Sequence, residues 1–173
     1  MVVLHYMKRE LETAFVHRFS SSTMPFTNVF KNSAHYYGLF GLLTMYPYMH
    51  PKYTPPAWAS SDEIFYAFTA LFCVFEFLNL QTHLVFSRLR KPGTTQRAIP
   101  YGWGFDIVSS ANYFWESCAW LTFCIQAQVL GGYVFLLASV YQMTVWALKK
   151  HSNYKKEFPN YPKNRKAIFP FIV

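Results

Sequence analysis

The sequence has 173 residues, of which 53% are hydrophobic, 21% aromatic and only 14% charged, with a net charge of +8. A soluble domain carries about a quarter charged residues, so too few polar side chains remain to cover a surface in water. The three cysteines, Cys73, Cys118 and Cys124, form no CxxC pair, and no P-loop, GxGxxG or HExxH occurs, which removes zinc-finger, disulfide-framework and Rossmann classes from consideration.

In chain order, the first element predicted is an amphipathic helix. Val3, Leu4, Met7, Leu11 and Phe15 recur at helical spacing, with Lys8 and Glu12 on the polar face. Its apolar stretch is too short to cross a bilayer, and it lacks the uncharged core of a secretory signal. With its linker it occupies 1–33. Four apolar stretches follow. Residues 34–49 end at Pro47 and Pro51 and are short enough to be tilted or re-entrant. Residues 64–86 are long enough to cross about 30 Å of hydrocarbon. Residues 113–130 and 133–148 are separated by Gly131-Gly132, which suits a tight turn in a helical hairpin. The tail, 149–173, is basic and aromatic and carries Pro159, Pro162 and Pro170; it is expected to pack on the membrane face or cap the bundle.

Charge gives an independent reading of topology. With four spans both ends share a face, and every Lys and Arg except Lys52 falls on that face. The positive-inside rule makes it cytosolic. The predicted fold class is therefore all-α: one polytopic membrane helical bundle over 1–173, with about four spans over 34–148, preceded by an amphipathic helix and followed by a basic cytosolic tail. Cations that flank apolar spans, instead of forming a stripe on a soluble fold, argue against a nucleic-acid partner and for phosphates of lipid or nucleotide.

Polar groups inside apolar spans are costly and mark function by default. Asn112 and Glu116 share a helical face that continues to Trp120, and Glu76, Asn79 and His83 share another. Gln126, Gln128 and Gln142 add amides to the hairpin. Two polar faces imply a wet pocket open to the cytosol; the competing reading is interhelical hydrogen bonding without chemistry. The loop FSRLRKPGTTQRAIP gathers Arg88, Arg90, Lys91 and Arg97 at the boundary, as a phosphate clamp or a headgroup anchor. Lys150, His151, Tyr154 and Arg165 in the tail include candidates for a proton donor.

The stretches HYMKRELETAFVHRFSSSTMPFTNVFKN, LRKPGTTQRAIPYGWGFDIVSSANYFWE and KKHSNYKKEFPNYPKNRKAIFPFIV resemble the very-long-chain trans-2-enoyl-CoA reductases, a branch of the steroid 5α-reductase family. The resemblance covers nearly the whole chain. It implies a multi-pass endoplasmic reticulum enzyme that uses NADPH to reduce the trans-2 double bond of very-long-chain enoyl-CoA. That reaction belongs to fatty-acid elongation and feeds sphingolipid synthesis, with membrane lipid around the protein and other elongation enzymes as partners. Carried over by motif, Tyr113 matches the tyrosine that donates the proton, and Lys8 a lysine the branch requires. Asn112 and Glu116 match cofactor contacts, as do Asn79, Arg90, His151 and Tyr154. His83 stands where a steroid enzyme has an aspartate.

The resemblance also implies that the chain lacks the family's amino-terminal ubiquitin-like region and first membrane helices, which leaves an inactive or partner-dependent fragment as the alternative. A steroid or polyprenol reductase is the other; the HRF…TMP stretch speaks against it. An isoprenylcysteine-type methyltransferase would show a Glu-Glu pair ahead of the tail, which KKHSNYKKEF does not have.

Overall fold

A computed structural model describes residues 1–18, 23–90 and 97–173. Among these residues the architecture is helical, with no strand beyond an isolated bridge between Val108 and Lys166. Helix α1, Val2–Leu11, continues through a wide turn, Glu12–Val16, wound with i to i+5 bonds. Helix α2, Thr27–Ser33, passes into the same wide winding over Ala34–Met45 and ends as the short α3, Tyr46–Tyr48. The Thr44 hydroxyl suits that winding, since it donates to the Leu39 carbonyl five residues back at 2.9 Å. A single 3₁₀ turn, Ala57–Ala59, precedes the long helix α4, Asp62–Leu89. Helices α5, Ala111–Ala127, and α6, Leu130–Glu157, complete the bundle.

Helix α4 begins where Ser61 caps it, its hydroxyl accepting from the Ile64 N–H at 3.3 Å, with Asp62 and Glu63 favourably placed in the positive first turn. It then runs 28 residues without Gly or Pro, about 42 Å at the ordinary helical rise. It packs on α5, α5 on α6, and α6 on the wide helix 34–45. Phe40, Phe72, Trp120, Phe123 and Phe135 form the largest apolar core, with edge-to-face rings such as Phe40–Trp120 at 5.1 Å.

Two helices, α4 and α6, are long and apolar enough to cross a membrane. A core helix of a soluble protein would pass the same test but would be mostly buried; here only 17% and 33% of the two apolar windows are buried. Phe65, Tyr66, Leu71, Val74 and Phe77 of α4 face outward.

The turn of the α5–α6 hairpin lies earlier than the glycine pair suggests. It is made by Gln128, in the left-handed region at φ 49°, and Val129. The Gln128 amide holds this conformation by donating to the Ile125 carbonyl and the Tyr133 hydroxyl, both at 2.8 Å, while Tyr53 donates to the Ala127 carbonyl at 2.7 Å. Gly131 and Gly132 instead sit in the first turn of α6. Gly131 is there for close approach: a Cβ on it would stand 1.7 Å from the Leu43 carbonyl oxygen.

The tail does cap one end of the bundle. After α6 it doubles back, and Ser109 and Ser110 donate their N–H groups to the carbonyls of Lys166 and Ala167 at 2.8 and 3.1 Å. Arg165 is 2% exposed, donates to the Pro100 carbonyl at 2.9 Å, and lies over the rings of Tyr101 and Tyr161. The folded tail thereby fixes the loop that leads into α5. Lys91 of the basic loop lies outside the described residues.

Gly131→Ala should lower the thermal unfolding midpoint of the detergent-solubilised chain, by the equivalent of about 1–3 kcal/mol for an overpacked contact against backbone. Gly132→Ala, whose Cβ would meet only side-chain atoms at 3.4 Å, should stay near wild type.

Candidate functional site

Helix α1 presents its polar face to the protein and its apolar face outward. Val3, Leu4, Met7, Leu11 and Phe15 are exposed, whereas His5 and Glu12 are 4% and 1% exposed. The reason is a matching polar face on α4. The two helices run parallel at a constant offset of 71 residues, so His5 meets Glu76 and Lys8 meets Asn79. His5 Nδ1 lies 2.8 Å from Glu76 Oε1, and Lys8 Nζ lies 2.9 Å from Glu76 Oε2. Lys8 also donates to Asn79 Oδ1 and stands 3.4 Å from Glu12 Oε1. Glu12 Oε2 takes His83 Nδ1 at 2.9 Å and Arg9 Nη1 at 3.0 Å. These charges answer one another in a place with little water, which is the condition under which buried ions are tolerated. Burial works to raise the Glu12 carboxyl, but His83, Lys8 and Arg9 outweigh it and hold the group down at about 2.

The ladder reaches α5 through Asn79, whose amide donates to the Asn112 carbonyl at 2.8 Å. Asn112 opens α5, so α4 sets where that helix starts. Tyr113 and Glu116 follow on the next turn.

These residues bound a cleft of about 440 Å³. Arg9, Arg18, Arg90, Arg97 and Lys150 line it, with Glu116 the one acidic wall residue among the described residues; Tyr113, Tyr154 and Asn112 add to the polar wall, and Phe86 and Leu89 add apolar surface. Arg18 and Arg90 each donate to the other's backbone carbonyl, which ties the two residues together at the cleft wall. Lys150 Nζ rests 3.8 Å from the centre of the Phe86 ring. Like charges gathered this closely suit a polyanion. Asn112 Oδ1 is buried with no hydrogen-bond partner among the described residues, an acceptor held ready for a donor. The wall thus fits a phosphorylated dinucleotide: cations for its phosphates and an amide for its polar head.

Of the residues singled out in the sequence, Arg90, Asn112, Tyr113, Glu116 and Tyr154 share this cleft, and so does His83. Lys8 and Asn79 stand behind it in the ladder, and the neighbouring Arg9 faces the cleft instead. Burial lowers and the carboxylates of Glu116 and Glu12 raise the Arg9 guanidinium, with a net rise, as expected of a cation between two acids. His151 also turns away: its Nδ1 is 2.5 Å from Ser109 Oγ, which in turn is 2.6 Å from the Tyr161 hydroxyl. Lys150 takes the cleft position, four residues before Tyr154 on the same helical face. Lys150 is among the tail residues the sequence singles out, whereas Arg9 is not. One residue's rotation of about 100° on a helix separates cleft from scaffold in both cases.

Residues 22–173 match the family model described as 3-oxo-5-alpha-steroid 4-dehydrogenase. The chain belongs to this family. It is 45% identical over 175 residues to a Caenorhabditis elegans protein whose name contains the words very-long-chain enoyl-CoA reductase, covering 98% of the chain and 56% of the relative. It is 42% identical over 171 residues to a Dictyostelium discoideum protein named very-long-chain enoyl-CoA reductase, covering 98% of the chain and 55% of the relative. A mouse protein named 3-oxo-5-alpha-steroid 4-dehydrogenase 1 is 31% identical over 178 residues, covering 100% of the chain and 67% of the relative. The chain spans about half the length of the curated enoyl-CoA reductase relatives it matches.

Because its folded-state pKa is depressed from the ordinary 4.5 to about 2, the Glu12 carboxylate stabilises the fold fully above about pH 4.5 and loses that contribution as pH falls toward 2. Glu12→Gln should therefore be less stable than wild type at pH 7, by on the order of 3 kcal/mol. The gap should close as unfolding is followed in detergent from pH 5 downward.

Proposed function

We propose that the chain carries the cofactor cleft and proton donor of an NADPH-dependent reductase that saturates the trans-2 double bond of very-long-chain enoyl-CoA in fatty-acid elongation. In this reading it lies in the endoplasmic reticulum membrane, with spans formed by the helix 34–49, α4, α5 and α6, and with the cation-lined mouth of the cleft and the folded tail on the cytosolic side. The observation that carries it is the cleft itself: a phenol, Tyr113, and a carboxylate, Glu116, on one wall, facing a rim of cations that suits phosphates. The names of the relatives supply the substrate class, and the higher identity to the enoyl-CoA reductases than to the steroid enzyme favours an acyl thioester over a steroid.

NADPH, when bound, supplies the hydride that reduces the conjugated double bond at Cβ. The protein's own part is then to place and to protonate. Arg90, Arg97 and Lys150 hold phosphates at the rim, and Asn112 Oδ1 accepts from an amide of the cofactor. Negative charge that develops on the thioester oxygen and Cα is met by the Tyr113 phenol, which donates its proton to Cα. Arg9, on the same wall as Tyr113 and Glu116, is the cation placed to stabilise that charge. Lys8 acts one step back: by tying Glu76, Asn79 and Glu12 together it holds α1 and the first turn of α5 in register.

An assay that follows NADPH oxidation with a long-chain trans-2-enoyl-CoA in nanodiscs tests the reading. It should be run on the 173-residue chain and on the same chain co-expressed with upstream sequence. Tyr113→Phe should cut turnover by about 10²-fold or more while leaving NADPH affinity intact. Lys150→Ala should weaken NADPH binding by about tenfold, the worth of one charge-assisted hydrogen bond, whereas His151→Ala should not. Turnover near wild type in Tyr113→Phe, or equal cofactor affinity in wild type and Lys150→Ala, would contradict these assignments.

A further inference from the structure

At the top of the ladder, where the wide turn leaves α1, three donor groups converge, two from that turn and one from α4. The carboxylate of Glu12 and the imidazoles of His17 and His83 offer one ligand atom each, and these atoms all lie within 4.8 Å of one another. Glu12 and His83 are 1% and 6% exposed, while His17 is half-buried and lines the cleft mouth, which leaves a path for an ion to enter. We propose that Glu12, His17 and His83 form a binding site for a divalent cation of zinc's borderline character, which fastens the end of α1 to α4. The site shares His17, His83 and Arg9 with the cleft of the proposed function, but its donor set does not depend on that reading.

The chemistry favours that class of ion. Two imidazoles and a carboxylate are a common protein donor set for zinc, with the fourth position left to water. Hard cations such as magnesium and calcium prefer an all-oxygen shell, which is not offered here. Tetrahedral bonds of about 2.0–2.2 Å place neighbouring donors a little over 3 Å apart. Glu12 Oε2 and His83 Nδ1 are already at 2.9 Å, and closing the site needs the His17 imidazole, within 4.8 Å of both, to draw in toward them. The wide winding of Glu12–Val16 brings Glu12 and His17 to the same side, and the backbone N–H of His17 bonds the Glu12 carbonyl at 2.7 Å.

A second observation points the same way. Glu12 Oε1 is buried and makes no hydrogen bond among the described residues; its nearest charge contact is Lys8 Nζ at 3.4 Å. A carboxylate with an open lone pair beside two imidazoles has coordinating capacity left over. Arg9 is the competitor, since its Nη1 stands 3.0 Å from Glu12 Oε2 and 3.4 Å from His83 Nδ1. The ion would replace the proton between Glu12 and His83, and Arg9 would move to the outer side of the carboxylate. Metal-ligating carboxylates are commonly held from that side. The competition implies affinity weaker than that of closed structural zinc sites.

Cobalt(II) titration of the untagged chain in detergent reads the site directly, because tetrahedral coordination by nitrogen and oxygen gives intense visible absorption. The proposal expects saturable binding of one cobalt per chain, displaced by zinc. His17→Ala and His83→Ala should each weaken it about tenfold or more, while His50→Ala, in the exposed loop before α4, leaves it unchanged. His17→Ala is the informative variant, because that imidazole is half-buried where Glu12 and His83 are buried, and circular dichroism can confirm the helical content. Absence of saturable cobalt binding by the wild-type chain, or equal affinity in wild type and His17→Ala, would overturn the site.

Discussion

The structure depends on one arrangement: a ladder of charge between α1 and α4, buried where neither helix could carry it alone. His5, Lys8 and Glu12 on one helix and Glu76, Asn79 and His83 on the other keep a single register over two turns. Out of water, an unpaired charge costs several kcal/mol, so a slip of either helix by one position would be strongly unfavourable. The ladder is weak evidence for stability as such, since a buried ion pair seldom outperforms apolar packing. Its value lies in specifying one alignment. From that alignment the Asn79–Asn112 hydrogen bond fixes the start of α5, and the wall carrying Tyr113 and Glu116 follows.

The folded tail works from the other side. It closes over the loop 97–110 with Arg165 buried at its centre, and it bonds to Ser109 and Ser110 just before α5 begins. The first turn of α5 is thus gripped twice, by α4 through Asn112 and by the tail through Ser109 and Ser110. Two distant segments converge on a few residues, and those residues precede Tyr113, the proton donor of the proposed function. That is the geometry expected where a proton donor must be held still.

Much of this was legible in the sequence, and the remainder was hidden for identifiable reasons. Long apolar runs announce α4 and α6, and the helical spacing of Glu76, Asn79 and His83 announces a polar face. What the spacing does not announce is its partner, because periodicity carries no information about which other helix comes to lie alongside. The apolar stripe Val3, Leu4, Met7, Leu11 and Phe15 is legible as a stripe, yet whether it faces core or surroundings depends on the ladder. The hairpin turn fell at Gln128-Val129 instead of Gly131-Gly132 because side-chain hydrogen bonds support the left-handed residue. Gly131 answers a contact with Leu43, 88 positions earlier, that no local pattern reveals. Around the cleft, motif matching named Lys8 and His151, which bond to Asn79 and Ser109, whereas their neighbours Arg9 and Lys150 line the cleft itself.

The central claim is that a ladder standing behind the cleft builds it. A double-mutant cycle on Lys8→Met and Glu76→Gln, read by NADPH affinity together with the unfolding midpoint in detergent, tests this most directly. The account predicts that each single change weakens both quantities and that the double variant is little worse than either, a coupling of at least about 1 kcal/mol. Additive effects, or cofactor affinity unchanged in all three variants, would contradict it.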